Sequence, residues 1–217
     1  MSSITKEEFL NIVLKEKIIA IVRGVDPNKI IKVTQVLSNS GIHLVEITCN
    51  TPGVDRMIQT VSARLRDKVL LGAGTVVNVE LAELVIASGA KYIITPNLDQ
   101  EVINYCQRRN VPIVPGVTTP SEILQAMKHG LRMVKLFPAG ALGTTYIKQI
   151  RGPIKDVSIV AVGGINLDNA LDMLQAGADA LGIGESLVNT QLVENEQWDE
   201  IEHRAKKLVK IRNYIQS

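Results

Sequence analysis

The sequence predicts an α/β fold, a closed (β/α)8 TIM barrel with one extra N-terminal helix, and three observations carry that prediction. Short apolar runs rich in Ile, Val and Leu recur along the 217 residues, each followed by a stretch of helical period. The runs are spaced almost evenly. Polar and glycine residues stand just after several of them, where a barrel carries its chemistry.

Strands are expected at about 18–23, 43–48, 69–73, 92–95, 112–115, 132–136, 158–162 and 180–184. Anchored on Val22, Val45, Leu71, Ile94, Val114, Val134, Val160 and Leu181, the steps are 23, 26, 23, 20, 20, 26 and 21 residues. Each step accommodates a strand, a loop, a short helix and a return, which favours parallel pairing. An open doubly wound sheet is the alternative with the same local pattern. Asp26-Pro27 opens a helix ending near Ser40-Gly41, Thr51-Pro52 opens the next, and Thr119-Pro120-Ser121-Glu122 starts one that stops at His129-Gly130. Ser88-Gly89-Ala90 and Ala176-Gly177-Ala178 read as helix exits in which glycine takes a left-handed cap. Residues 4–15 form the leading helix and 199–214 an amphipathic last one. No linker or low-complexity stretch divides the chain, so one domain over residues 1–217 is expected.

Composition narrows the function. With 46% hydrophobic and 21% charged residues the chain is of ordinary globular type. A formal charge of +2 and 3% aromatics give neither the field nor the stacking platforms that nucleic-acid binding needs. Cys49 and Cys106 are the only cysteines and form no C-x-x-C pair, which points to a reducing, cytoplasmic compartment. The N-terminus lacks a signal pattern, and no apolar run is long enough to cross a bilayer, so no membrane partner is expected. His43, His129 and His203 share no ligand spacing, and no metal is assigned. Trp198 is read as an anchor for the last helix.

Strand parity singles out two ionisable residues. In Met133-Val134-Lys135-Leu136-Phe137, Lys135 shares a face with Met133 and Phe137. By the same rule Glu46 shares a face with Leu44 and Thr48, while His43 and Cys49 fall on the helix-facing side. Each charge therefore points to the barrel axis, where burial costs several kcal/mol unless the group is paired. A desolvated lysine has a lowered pKa, and its free amine can attack a ketone to form a Schiff base. A nearby carboxylate can shuttle protons during dehydration and C–C cleavage, although its charge raises the lysine pKa. Desolvation is expected to dominate once substrate closes the mouth. A structural ion pair between Glu46 and Lys135 is the competing reading.

Other strand ends suggest binding. Val162-Gly163-Gly164-Ile165-Asn166 follows the seventh run and Gly182-Ile183-Gly184-Glu185-Ser186 the eighth, the two loops between which barrels often hold phosphate. Arg23, ending the first run, can clamp a carboxylate by its planar fork or simply reach the rim. Thr75 and the amides around Gly74 can hold the other end of an oxo-acid.

These residues resemble the KDPG/KHG aldolases, class I pyruvate aldolases that cleave 2-keto-3-deoxy-6-phosphogluconate or 4-hydroxy-2-oxoglutarate. The likeness runs through Val45-Glu46-Ile47-Thr48, Gly72-Ala73-Gly74-Thr75-Val76, Thr95-Pro96 and Pro115-Gly116-Val117-Thr118-Thr119-Pro120-Ser121-Glu122. It continues in Lys135-Leu136-Phe137-Pro138-Ala139 and Gly163-Gly164-Ile165. The resemblance implies a (β/α)8 barrel, a homotrimer, a small keto-acid phosphate substrate, and no metal or organic cofactor. It implies a Schiff base on Lys135, proton transfer by Glu46, and a carboxylate site of Thr75, Arg23 and nearby amides. Pro96 and Phe137 would shape the pocket, and Gly163, Gly164, Gly184 and Ser186 would cradle the phosphate. Asn50 stands where some phosphogluconate aldolases carry arginine, and Ala161-Val162 where that branch usually has Pro-Thr. Val162, Thr95-Pro96-Asn97 and Asn50-Thr51-Pro52 are similar to the 2-keto-3-deoxy-6-phosphogalactonate branch. The leading expectation is cleavage of the gluconate to pyruvate and D-glyceraldehyde 3-phosphate, with the galactonate epimer as the alternative. A carboxylate-only epimerase on a phosphate-binding barrel and a non-catalytic sugar-phosphate-binding barrel are the remoter readings.

Overall fold

A computed structural model describes residues 4–216. The chain runs α1 (Lys6–Glu16), β1 (Ile18–Val22), α2 (Ile30–Asn39), β2 (Leu44–Thr48), α3 (Val54–Arg64), β3 (Leu70–Gly74), α4 (Val79–Ala87), β4 (Ile93–Ile94), α5 (Gln100–Arg108), β5 (Ile113–Val114) and β6 (Gly116–Val117). It continues with α6 (Pro120–Lys128), β7 (Met133–Leu136), α7 (Ala139–Arg151), β8 (Ser158–Val162), α8 (Ala170–Gln175), β9 (Ala180–Ile183), α9 (Thr190–Glu194) and α10 (Trp198–Gln216). All pairings are parallel, in the order β5-β4-β3-β2-β1-β9-β8-β7-β6.

The expected barrel is present, with one correction. Among the described residues nine strands replace the eight read from the sequence, because the fifth is divided at Pro115, which has no N–H to give to a ladder. Its first half pairs with β4 and its second with β7, and the Pro115 carbonyl accepts from the Lys135 amide at 2.8 Å. The ring is thus joined through continuous backbone at its weakest seam. A second difference concerns α3, which begins at Val54 after Gly53 in the left-handed region (φ 75°), two residues beyond Thr51-Pro52. The Thr51 hydroxyl instead accepts from the Gly24 amide at 2.9 Å and ties the first two strand exits together.

Other ends follow the residues expected to set them. Thr119 and Glu122 form a reciprocal capping box at the start of α6, and Asp26 caps a 3-10 turn at Pro27–Lys29 ahead of α2. Gly89 and Gly177 leave their helices at φ 114° and 112°.

Two apolar cores result from strand alternation. Residues such as Val45, Ile47, Val134, Leu136 and Ile159 face the helices. Ile19, Leu44, Ile94, Val114, Met133 and Val160 fill the barrel axis, with Phe9 and Val13 of α1 packed against them. The Phe9 ring lies 4.8 Å from that of Tyr92, whose hydroxyl donates to the Val45 carbonyl at 2.8 Å. Gly72 is required beneath Tyr92, since a Cβ there would collide with the ring. Half-buried Trp198 packs on the outer core at the start of α10. No helix among the described residues is long and apolar enough to cross a membrane.

Candidate active site

At the carboxyl ends of the strands lies a cavity of about 820 Å³. Lys135, Glu46, Arg23 and Thr75 line it together with Pro96 and Phe137. So do Val162, Gly163, Gly164, Gly184 and Ser186. The strand register explains the convergence: Glu46 lies opposite Ile21 on one side and Gly72 on the other, and Lys135 opposite Gly116 and Val160.

Glu46 is 1% and Lys135 5% exposed. They form no direct ion pair, and among the described residues the buried Glu46 Oε2 has no hydrogen-bond partner. That disfavours the reading of the two as a structural salt bridge. Burial pushes the Glu46 carboxyl from 4.5 up to about 7, against the opposing charges of Lys135 and then Arg23. Burial likewise lowers the Lys135 pKa; the Glu46 charge opposes this and Arg23 adds to it. Desolvation outweighs the neighbouring charges for both groups before anything closes the mouth. The Lys135 ammonium lies 5.1 Å from the centre of the Phe137 ring, a cation–π contact at the rim, where Phe137 is 39% exposed. Gly74 makes room for the acid, because a Cβ there would strike the Glu46 carboxylate. Glu46 also reaches across its own strand, where its charge adds to the burial that raises the Cys49 thiol to about 11.

Arg23 is exposed at the rim, and its guanidinium donates to the Thr75 hydroxyl at 3.4 Å. Thr75 adopts φ 56°, an uncommon conformation for a β-branched residue. From this strained exit Thr75 lines the same cavity as Lys135.

The glycine loops are held from behind. The Gly163 carbonyl accepts from the Gly140 amide at 2.7 Å, and the Gly164 carbonyl from Asn169 Nδ2 at 2.8 Å. Across a trans peptide the N–H points opposite the C=O, so these bonds turn the amides of Gly164 and Ile165 away from their anchors and toward the cavity they line. Among the described residues, the amides of Gly164, Ile165, Glu185 and Ser186 have no protein acceptor. Gly163 and Gly164 need glycine for their positive φ of 90° and 72°, and Gly140 because a Cβ would meet both anchored carbonyls. Ser186 differs from expectation in one respect: its hydroxyl donates to the Ile165 carbonyl at 2.6 Å, so its amide is the donor left for a ligand.

Several lining residues escaped the sequence reading. Ile21 follows from parity once the barrel is assumed, and Gly24 continues the Arg23 exit. Arg204 carried no signal, because with Glu200 it reads as an ordinary helix-surface pair. Asn50, in contrast, is exposed and lies outside the cavity wall.

A family model described as KDPG and KHG aldolase matches residues 10–204. The 2-dehydro-3-deoxy-6-phosphogalactonate aldolase of Escherichia coli (strain K12) is 32% identical over 174 residues, spanning 80% of this chain and 85% of its own. The 2-dehydro-3-deoxy-phosphogluconate aldolase of Haemophilus influenzae is 31% identical over 210 residues, spanning 96% and 99%. A solved structure of KDPG aldolase from Legionella pneumophila, with pyruvate captured as a covalent carbinolamine, is similar with a TM-score of 0.85 at 27% identity, covering 90% of this chain and 96% of that one.

Proposed function

The chain belongs to the KDPG and KHG aldolase family, and from that premise we propose that it is a class I aldolase in which Lys135 forms the Schiff base and Glu46 moves the protons. The carbon–carbon lyase activity is that of the family; the residue roles are read from the cavity. One observation carries them: a desolvated amine and an unpaired carboxyl of pKa about 7 share one enclosed mouth. A carboxyl so tuned is part acid and part base at neutrality, which suits repeated proton transfer.

In the proposed mechanism the neutral Lys135 amine attacks the C2 ketone of 2-keto-3-deoxy-6-phosphogluconate. Glu46 protonates the departing hydroxyl as the carbinolamine loses water to give an iminium ion. Removal of the C4 hydroxyl proton then breaks the C3–C4 bond. Its electron pair moves into the iminium, leaving an enamine and releasing D-glyceraldehyde 3-phosphate. Protonation at C3 and hydrolysis free pyruvate and restore the lysine. Arg23 and Thr75 hold the carboxylate, Pro96 and Phe137 shape the pocket, and the amides around Gly163, Gly164, Gly184 and Ser186 receive the phosphate. The proposed assembly is a homotrimer, on the strength of the family resemblance.

Val162 favours a second substrate reading. It lines the cavity and offers no hydrogen bond at a position where the gluconate branch usually has threonine. The galactonate epimer differs at C4, so a hydroxyl there discriminates and a methyl does not. With Asn50 outside the cavity wall, Val162 bears most of that argument.

Treating the protein with pyruvate and borohydride and mapping the mass gain tests the central claim. A stable adduct on Lys135 is expected; no adduct there ends the Schiff-base reading. Parallel assays on the two epimers rank the substrates. Val162→Thr is expected to move their ratio about tenfold toward the gluconate, and an unchanged ratio removes Val162 from the specificity argument.

A further inference from the structure

We propose that Arg204, on the C-terminal helix α10, is the counter-charge for the substrate phosphate and so a specificity-determining residue for phosphorylated substrates; this rests on the phosphate end assigned above. Arg204 lines the cavity beside Gly163, Gly164, Asn166 and Ser186. Its guanidinium is fixed at two points: Nε donates to Glu200 Oε1 at 2.7 Å, and Nη1 donates to the Ser186 carbonyl at 3.1 Å. The second contact ties it to the Glu185-Ser186 segment, whose amides have no acceptor among the described residues. Among the described residues, Nη2 has no protein acceptor.

The charges of the site explain why such a group is needed. The other two cations in the wall, Lys135 and Arg23, belong to the reacting ketone and the carboxylate. Glu185 also lines the cavity, and its carboxylate repels a phosphate dianion. Backbone amides alone bring partial charges, whereas a half-buried guanidinium with an open edge brings a full one in a planar donor geometry. Glu200 holds that plane. Its carboxyl is kept below the ordinary range chiefly by the hydrogen bond from Arg204. Arg204 therefore acts on affinity for the phosphorylated end, and the Schiff-base chemistry proceeds without it.

The test uses two readouts that separate phosphate from chemistry. Wild type and Arg204→Gln are titrated with glycerol 3-phosphate by calorimetry, and both are trapped with pyruvate and borohydride. Arg204→Gln is expected to weaken glycerol 3-phosphate binding and raise KM for the phosphorylated keto-acid by about tenfold to a hundredfold. The pyruvate adduct forms at the wild-type rate in both proteins, and Arg204→Lys recovers part of the lost affinity. Equal glycerol 3-phosphate affinity in wild type and Arg204→Gln overturns the proposal, as does an equal loss of pyruvate trapping in the variant. An adduct missing from wild type itself counts against the aldolase reading and leaves the phosphate comparison decisive for Arg204.

Discussion

Toward the amino ends of the strands, the barrel axis is a sealed apolar plug, with Ile19, Leu44, Met133 and Val160 packed against Phe9 and Val13 of α1. Two residues further along the same strands, the inward positions are Ile21, Glu46, Lys135 and Val162, which open into the cavity. Parity is the same in both layers, so what differs is closure. A layer with a helix beneath it can be dry and apolar throughout. A layer facing the mouth can hold charges whose pKa values depend on being almost, but not fully, removed from water. The difference predicts that truncation and neutralisation have opposite signs in neighbouring layers.

The largest effect belongs to the plug. Phe9 is 3% exposed against Tyr92, and Phe9→Ala leaves a void that α1 cannot close without moving the barrel floor. The expected loss is about 3–5 kcal/mol of stability in denaturant unfolding. Pyruvate trapping on Lys135 is expected to persist wherever the variant remains folded. A loss of trapping in the folded variant would show that the two layers are mechanically one.

Neutralising the upper layer runs the other way. The folded-state pKa of Glu46, about 7, lies above the 4.5 of an ordinary carboxyl. Folded protein therefore binds the extra proton between those values, and this residue's contribution to wild-type stability falls as pH rises from about 4.5 to 7. Gln does not titrate. The stability difference between Glu46→Gln and wild type is thus expected to be flat at acid pH, to grow in favour of the variant across that window, and to level off above it after a change of about 3 kcal/mol. Any fixed cost of burying the amide shifts this curve without altering its slope. Thermal or denaturant unfolding at several pH values measures it, and a difference independent of pH would place the Glu46 carboxyl in solvent. Turnover is expected to be lost in the same variant, so that stability and activity separate at one residue.

The same contrast marks what the sequence could disclose. Alternation in 44–48 and 133–137 placed Glu46 and Lys135 on the axis because a period of two needs no tertiary knowledge. The even steps between apolar runs disclosed parallel strands alternating with helices, a pattern that a closed barrel shares with an open doubly wound sheet. The division at Pro115 was foreshadowed by the proline itself, but the run resumes at Gly116-Val117 with too little apolar length to register as a strand. Tertiary placement hid the rest. Arg204 looks like any solvated residue in an i,i+4 pair until α10 is laid over the β9 exit, and Asn169 looks like a turn residue until its amide is seen holding the Gly164 carbonyl. The left-handed Thr75 had no local signature at all, since threonine is among the residues that least favour that conformation.

The smallest predicted effect sharpens the comparison most, because it isolates the coupling within the upper layer. The Lys135 charge restrains the rise in the Glu46 pKa, so Lys135→Met removes that restraint while supplying an apolar side chain of similar length. Glu46 is then expected to titrate above 7, and the fall in its stability contribution extends to higher pH by the linkage sign used above. The added penalty at alkaline pH is on the order of 1 kcal/mol. At mildly acid pH, where Glu46 is neutral, the same variant is expected to be at least as stable as wild type, since a desolvated ammonium has been removed. The carboxyl stretch in difference infrared spectra follows the titration directly and is independent of catalysis, which Lys135→Met is expected to abolish. A Glu46 titration that does not move would mean that water between the two groups screens them fully, and the upper layer would then be as wet as the rim rather than an extension of the core beneath it.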